Sequence, residues 1–429
     1  MEREMRHWMT NESKLPPQSG SPRILFIGEA IAISHVVRPY VLAAHLHRSG
    51  FDVCLACDPR YNHLAAQTEV PTTDLTSLPP ETVESRLARH EPIHDLDTLD
   101  RYVNDEVRIL RSFKPDVVVG DMRPSLAVSS RLTQTTYINL AEAHWSPAVE
   151  THYELPSSPL AALVGMPLSN LLFQAFQPVA LGYHTLPLNM IRIKYGLPPI
   201  GPDIKACNTY GDYTVYPNEA GLFPLSRPLP ARHSFLGPIS WSPEVERPEW
   251  WNRLPTDRPV LYVSLGSTGQ PSLLDSILNV LEGMPVTVMV ATAGRCKMRH
   301  VPKNFFVADF LPGSEAAERS RLVICNGGTM SGQQALLAGT PYLGLISNMD
   351  QMLFSMAVRR ASACELLREG DVNEGTLRPV ISRMLAEEKY QAAAKSIAAR
   401  MTAMDSCKKF EEVVCAAFEA NAVRRAQAV

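Results

Sequence analysis

The sequence predicts two α/β domains, each with a doubly wound, Rossmann-like parallel sheet, and three observations support this prediction. First, the chain has 429 residues, more than a single hydrophobic core usually serves. Second, short apolar runs alternate with amphipathic stretches in both halves, as strands and helices alternate in parallel sheets. Third, residues 239–259 are rich in Pro and Trp, which is typical of a linker between domains.

The first domain is expected over residues 23–238 and begins with a strand, a loop and a helix. The strand ends at Gly28, and Gly50 terminates the helix that follows the loop. The same order of elements returns around Asp121, which closely follows a run of three valines. The expected elements are strands at residues 24–27, 52–57, 117–119 and 137–140 and helices at residues 37–47, 99–113 and 125–132.

The second domain is expected over residues 260–405, and residues 406–429 are expected to form a helix that packs back on the first domain. Residues 1–22 are polar, rich in Pro and Ser, and lack the apolar run of a signal peptide, so a disordered arm is expected there. Two facing sheets create a cleft at the carboxyl ends of their strands, where ligands bind in such folds. The expected strands of the second domain are residues 260–265, 286–291, 322–325 and 342–346.

The net charge limits which macromolecules the protein is able to bind, and its cysteines indicate the redox compartment. A formal net charge of −3 leaves no basic field for the phosphates of a nucleic acid, so nucleic acid is excluded as a partner. Most of the eight cysteines lie in apolar runs, where a free thiol acts as a small hydrophobe. Cys54 and Cys57 fall on one expected strand with side chains on opposite faces, which does not suit a shared metal. A reduced, cytoplasmic setting is therefore expected.

Residues 155–191 contain no Asp, Glu, Lys or Arg. Five prolines divide this segment into pieces too short to cross a bilayer as one helix, so no transmembrane segment is expected. The segment is instead expected to form short buried helices or an apolar wall for an acceptor.

A strand, a glycine-rich turn and a helix start form the clearest binding motif. The expected strand at residues 322–325 ends in Asn326, Gly327, Gly328 and Thr329. The two glycines allow a ligand close to the backbone, and the helix start offers free N–H groups and a positive dipole. A diphosphate suits such a turn. After the next strand come Asp350 and Gln351, whose acid and amide groups suit sugar hydroxyls but are also common in solvated loops.

Together these segments resemble the nucleotide-sugar signature of the UDP-glycosyltransferase family, which has the GT-B fold and includes bacterial macrolide and natural-product glycosyltransferases. The resemblance is strong over residues 260–365 and weak over residues 23–140. It implies that a nucleoside-diphosphate sugar, with UDP or dTDP, is the co-substrate, without a metal or a resident cofactor. The donor-binding residues that the resemblance implies are Ser267, Thr268, Phe310, Leu311, Asn326, Gly327, Gly328, Thr329, Gln334, Asp350 and Gln351.

Two of these residues depart from the family pattern. The family usually has His where Asn326 stands, and an amide still donates to a phosphate oxygen but carries no charge. The usual Glu that holds the ribose hydroxyls is matched by Gln334. Without that carboxylate, the sequence does not decide which nucleotide base the donor carries.

His35 and Asp121 are the candidates for catalysis. A neutral imidazole suits deprotonation of an acceptor hydroxyl, and the helix dipole near His35 opposes a positive charge on the ring. Asp121 ends another strand of the same sheet, where its carboxylate is able to orient the imidazole. The pair is similar to the His and Asp of the family. His144 and Trp145 follow a later strand and are expected either to line the acceptor site or to pack.

The sequence therefore predicts transfer of a sugar to a hydroxyl of a small, fairly apolar acceptor, with inversion implied by the resemblance. A catalytically silent partner of another transferase and a sugar-nucleotide epimerase are the alternatives. A dehydrogenase is disfavoured because neither first strand is followed by a G-x-G-x-x-G motif. No sequence motif of metal ligands is present. The hydroxyls of Ser267, Thr268 and Thr329 are expected to face the leaving diphosphate.

Overall fold

The computed structural model describes residues 21–65, 69–157, 161–255, 257–266, 271–294 and 301–427, and its strands form two parallel sheets. The first sheet has the order β3-β2-β1-β4-β5-β6-β7, and the second has the order β10-β9-β8-β11-β12-β13. The first seven strands are β1 (Arg23–Gly28), β2 (Asp52–Cys57), β3 (Thr72–Asp74), β4 (Val117–Asp121), β5 (Thr136–Leu140), β6 (Tyr213–Tyr216) and β7 (His233–Phe235). The others are β8 (Val260–Ser264), β9 (Thr287–Ala291), β10 (Phe305–Ala308), β11 (Leu322–Cys325), β12 (Tyr342–Ile346) and β13 (Cys364–Arg368).

Helices cover the two sheets. Those between β1 and β8 are α1 (Ser34–Arg48), α2 (Asn62–Ala65), α3 (Pro80–Ala88), α4 (Leu96–Phe113), α5 (Leu126–Thr133), α6 (Ala161–Tyr183), α7 (Leu186–Lys194) and α8 (Ile204–Asn208). The later ones are α9 (Pro271–Glu282), α10 (Gly313–Glu318), α11 (Thr329–Leu337), α12 (Met349–Arg360), α13 (Glu374–Ala386), α14 (Glu388–Thr402) and α15 (Ser406–Gln427).

Each sheet has a crevice where the strand order reverses. In the first sheet β1 pairs with β2 on one side and β4 on the other, so the loops after β1 and β4 diverge. The second sheet repeats this arrangement, because β8 lies between β9 and β11. Ligands of doubly wound sheets bind at such crevices. His35 and Asp121 flank the first crevice, and Gly266 and Asn326 flank the second.

The last helix covers the first domain. Phe410 and Val414 of α15 are buried in one apolar cluster with Phe26 of β1 and Val37 of α1. The rings of Phe26 and Phe410 lie 5.8 Å apart between centroids. Apolar burial of this kind is the main force that holds a helix to a domain.

The two domains also share an apolar core below the cleft. Tyr216 of β6 and Phe223, in the connection from β6 to β7, belong to the same buried cluster as Tyr342 and Phe354 of the second domain. Gln333 of α11 donates to the carbonyl oxygen of Pro217 at 2.7 Å. These contacts fix how the carboxyl rims of the two sheets face each other.

The expectation of short buried helices within residues 155–191 is wrong. α6 continues through Pro178 and has one non-helical residue, Gly165, with φ of 76°. Many of its apolar side chains are open to solvent, and Leu163 is 83% exposed. A helix without charged residues is buried only where another element packs against it. The composition of the segment therefore did not decide whether α6 is buried. Among the described helices, none has the length and apolar character needed to cross a membrane.

Candidate active site

Gly28 allows His35 to approach the end of β1. A Cβ atom on Gly28 would lie 2.7 Å from the carbonyl oxygen of His35, closer than real Cβ contacts allow. His35 was expected in the loop before the helix, but it lies in the first turn of α1, which begins at Ser34. Its Nδ1 atom is 2.7 Å from Oδ1 of Asp121, at the end of β4. The structure therefore brings these two residues together.

The ionisation of Asp121 decides which nitrogen of His35 carries the proton. Burial alone would raise the pKa of Asp121, but the charges of Arg38 and His35 outweigh this effect and hold the pKa below its usual value. An ionised carboxylate only accepts hydrogen bonds, so Nδ1 of His35 is the donor. In the neutral form of the ring, Nε2 then carries the lone pair that a general base requires. The His35 side chain is 18% exposed, so a substrate is able to reach it.

Arg38 and Glu142 complete this cluster, and the sequence reasoning missed their part in it. Arg38 donates from Nε to Oδ2 of Asp121 and from Nη2 to Oδ1, both at 2.8 Å. It also donates from Nη1 to Oε1 of Glu142. The spacing of Arg38 from His35, one turn along α1, was the available signal, because residues three apart share a helix face.

Asn326 and the glycines after it form a tight turn at the second crevice. Gly327 has φ of 68°, and a Cβ there would lie 2.4 Å from Cδ1 of Ile346. Gly266, after β8, has φ of 66°, and a Cβ on it would lie 3.5 Å from Nδ2 of Asn326. The loop after β8 and the turn after β11 therefore converge, as a site for one diphosphate requires.

Thr329 begins α11 directly after Gly328, the N-cap. Its residue is 6% exposed, and its Oγ1 is buried with no hydrogen-bond partner among the described residues. An unpaired buried hydroxyl is costly, and the N-terminus of a helix is a place where anions bind in proteins. Ser267 and Thr268, the other expected hydroxyls, lie outside the described residues.

Phe310, Leu311 and Gln334 lie near one another but differ in exposure. Phe310 is 54% exposed and offers a ring for stacking, whereas Leu311 is 3% exposed and lies in the core. Leu311 therefore has almost no surface that a ligand could contact. Nε2 of Gln334 lies 3.4 Å from the carbonyl oxygen of Trp241, and a Cβ on Gly313 would be 2.6 Å from Oε1 of Gln334.

Asp350 connects the two domains. Its Oδ1 accepts from Nε2 of His144 at 2.8 Å and from Nε1 of Trp145 at 3.1 Å. Desolvation would raise the pKa of Asp350, but His144 outweighs it and holds the pKa below its usual range. The Asp350 side chain is 45% exposed, while that of His144 is 2% exposed. His144, expected to line the acceptor site or to pack, thus contacts an expected donor residue.

Gln351 is anchored within its own helix turn. Its Oε1 accepts from the backbone N and from Oγ of Ser347, at 2.9 and 3.0 Å. Asn348 caps the helix by accepting from the backbone N of Gln351. These bonds use the amide oxygen of Gln351, and the residue is 3% exposed. Within the described ranges, no group of three or more His, Cys, Asp and Glu side chains has the arrangement of a metal site.

Comparison with known proteins identifies the family. Residues 272–417 match the C-terminal domain described as erythromycin biosynthesis protein CIII-like. A PGL/p-HBAD biosynthesis glycosyltransferase of Mycobacterium tuberculosis is 44% identical over 382 residues, which are 89% of each chain. The chain belongs to this glycosyltransferase family. A PGL/p-HBAD biosynthesis rhamnosyltransferase of Mycobacterium bovis is 41% identical to the transferase over 376 residues, 88% of this chain and 83% of the relative.

Two further matches bear on the fold and on activity. Spinosyn rhamnosyltransferase SpnG, solved with thymidine diphosphate, superposes on the transferase with a TM-score of 0.67 at 16% identity, covering 91% of this chain and 99% of SpnG. The fold is therefore GT-B, as the sequence predicted. A relative from Mycobacterium bovis named as an inactive glycosyltransferase of PGL/p-HBAD biosynthesis is 42% identical over 265 residues, 62% of this chain and 72% of that protein.

Proposed function

We propose that the transferase moves a deoxyhexose such as rhamnose from thymidine diphosphate to a hydroxyl of an apolar acceptor, with inversion at the anomeric carbon. The buried hydroxyl of Thr329 at the start of α11, which has no partner in the described part of the chain, is the observation that carries the donor side of this proposal. A diphosphate oxygen supplies the acceptor that this hydroxyl lacks.

Gln334 favours thymidine over uridine. A carboxylate at this position accepts hydrogen bonds from two adjacent ribose hydroxyls. The sugar of thymidine diphosphate lacks the 2′-hydroxyl, so an amide that accepts one hydrogen bond is sufficient. SpnG, whose structure contains thymidine diphosphate, and the relative named as a rhamnosyltransferase agree with this choice.

The proposed reaction begins at His35. Nε2 takes the proton from the acceptor hydroxyl as its oxygen attacks the anomeric carbon. The bond from that carbon to the diphosphate breaks on the opposite face, which inverts the configuration. Asp121 stabilises the imidazolium that forms, and the N-terminus of α11 with Thr329 stabilises the negative charge on the leaving diphosphate. Asp350 and Gln351 hold the hydroxyls of the sugar.

The acceptor side is apolar. Trp145, at the cleft, lies with its ring 6.4 Å from that of Tyr153, and Gln174 of α6 donates to the carbonyl oxygen of Tyr153. The open apolar face of α6 therefore continues from the cleft rim. Exposed apolar surface of this extent is typical of a ligand or partner site.

Hydrolysis and transfer assays with purified protein test the proposal. We expect the wild type to release thymidine diphosphate slowly from dTDP-rhamnose, and His35→Ala to lose this activity by about a hundredfold or more while still binding thymidine diphosphate. UDP-glucose, assayed in parallel, is expected to be the poorer donor. Binding of neither nucleotide by the wild type, together with no turnover of either sugar nucleotide, would refute the proposal.

A further inference from the structure

A single buried guanidinium joins the two carboxylates that lie behind the catalytic imidazole. The Arg38 side chain is 3% exposed, that of Asp121 1% and that of Glu142 8%. Burial alone would lower the pKa of Arg38, but Asp121 and Glu142 outweigh it and raise the pKa above its usual value. Arg38 is therefore a permanent cation with fixed partners, and its planar group has the geometry for two carboxylates at once.

Glu142 links Arg38 to the segment that contacts the second domain. Its second oxygen, Oε2, accepts from Nδ2 of Asn218 at 2.9 Å. Oδ1 of Asn218 accepts from the backbone N of Ala143 at 2.8 Å. Asn218 is fully buried, so this link is held away from water. The turn that follows Ala143 carries His144, whose Nε2 binds Asp350.

We infer that Arg38 is a positioning residue of the transfer reaction, holding the Asp121 carboxylate behind His35 and, through Glu142, the turn that presents His144 and Trp145 to the donor sugar. This inference rests on the proposed function, since that function assigns His35 the role of general base. Arg38 itself does not touch the substrate. It acts because one rigid group sets the distance between the acceptor side and the donor side of the cleft.

The same group balances charge around the imidazole. His35 faces Asp121 of β4 at 2.7 Å and Nη2 of Arg38 on its own helix at 2.9 Å. Asp350 of α12 also acts on it electrostatically. Glu142 pairs with Arg38, and His144 pairs with Asp350. Carboxylates favour a protonated imidazole and a guanidinium opposes it, so Arg38 and these carboxylates act on the imidazole in opposite directions.

Two substitutions should therefore move the pH profile in opposite directions. Removal of the cation in Arg38→Met leaves two carboxylates unopposed, so we expect the acid limb of kcat/KM to move up by about one pH unit. Glu142→Gln keeps the shape but removes a negative charge, so we expect the limb to move down by about half a unit. Arg38→Lys keeps the charge, so the limb should stay near that of the wild type while kcat falls about tenfold.

The experiment measures kcat/KM of the full-length protein with dTDP-rhamnose between about pH 5 and 9. Arg131→Met is the matched control, because Arg131 pairs with Asp212 in the same domain, and we expect no shift of its limb. If Arg38→Met fails to fold, the Lys and Gln variants still carry the comparison. Loss of activity at all pH values without opposite shifts would overturn the inference.

The two proposals fail in different ways. The proposed function requires that the kcat/KM profile of the wild type has an acid limb and that His35→Ala abolishes this limb. If either condition fails, the proposed function itself is wrong. If that limb exists and neither Arg38→Met nor Glu142→Gln moves it, only the positioning role of Arg38 is wrong.

Discussion

The carboxylate of Asp350 in the second domain lies 2.8 Å from Nε2 of His144 in the first domain. Trp145 donates to the same oxygen, Oδ1, so both bonds hold one side of the carboxylate. Oδ2 accepts from neither of these donors, and under the proposed function it is the oxygen that binds a sugar hydroxyl. The orientation of Asp350 therefore depends on the first domain.

This geometry gives a prediction that separates the sugar from the nucleotide. We expect His144→Phe and Asp350→Asn to weaken binding of dTDP-rhamnose about tenfold, because Asp350→Asn removes a charge-assisted hydrogen bond to the sugar and His144→Phe removes the bond that orients Asp350. Thymidine diphosphate lacks the sugar, so its affinity should stay unchanged in both variants. Isothermal titration with the two ligands measures the difference. Equal weakening of both ligands would place Asp350 at the nucleotide instead.

Thr329 allows the complementary prediction for the diphosphate. Thr329→Val keeps the shape of the side chain and removes the unpaired hydroxyl, so we expect about tenfold weaker binding of thymidine diphosphate and of dTDP-rhamnose. The melting temperature without ligand should not fall, because the hydroxyl has no partner to lose among the described residues.

Thr340→Val is the matched control for this experiment. Thr340 is also buried, but its Oγ1 donates to the carbonyl oxygen of Ala317 at 2.8 Å. We expect this variant to lose about 1 kcal/mol of stability and to bind both ligands normally. Normal binding by Thr329→Val would remove this hydroxyl from the donor site.

The sequence predicted the position of a residue correctly where that position follows from the end of a strand. The contact between His35 and Asp121 follows from the order of elements, since each residue comes just after or at the end of a strand and parallel strands end at one rim. In the same way, Asn326 and Gly327 follow β11 at the second crevice. Their chemical roles rest on family resemblance and are not contained in the spacing alone.

Sequence reasoning failed where the fold joins distant residues. Arg38 and Glu142 are 104 positions apart, and each resembles an ordinary surface charge until both are buried together. The pairing of His144 with Asp350 crosses domains, so it depends on the domain interface and no local pattern encodes it. The exposure of α6 was missed because burial depends on what packs against a helix.

A buried histidine outside the cleft should make stability depend on pH. His94 is 6% exposed, and burial, aided by Arg123 and Arg86 and opposed by Glu29 and Asp95, lowers its pKa to about 4. Between this value and the ordinary pKa of about 6.5, the unfolded chain binds a proton that the folded chain does not. Stability is therefore lost as pH falls through this window.

The expected size of this effect is measurable by urea unfolding. Between pH 7 and 5 the His94 contribution falls by about 2 kcal/mol. His94→Gln removes the titration, so its loss of stability over this interval should be smaller than that of the wild type by about this amount. His63→Gln is the control, because it makes the same replacement at an exposed histidine. An unchanged pH dependence in His94→Gln would contradict the burial argument.

The open face of α6 gives a prediction for the acceptor. Leu171 and Phe176 are 66% and 63% exposed, so replacing both with Ser should leave the melting temperature unchanged. If this face binds the apolar part of the acceptor, the double variant loses buried apolar area in the complex. We expect KM for an acceptor with a long alkyl chain to rise about tenfold or more. KM for a short analogue and the rate of donor hydrolysis should stay constant, because neither uses the face.

Val301→Ser provides the control for that experiment, since Val301 is 48% exposed on the second domain. The comparison between long and short acceptors is decisive because it cancels any general damage to the active site. A rise in KM for both acceptors would indicate a distorted cleft, with no specific role for the face. No rise for either acceptor would show that the acceptor approaches by another route, and the apolar surface of α6 would then need a different partner.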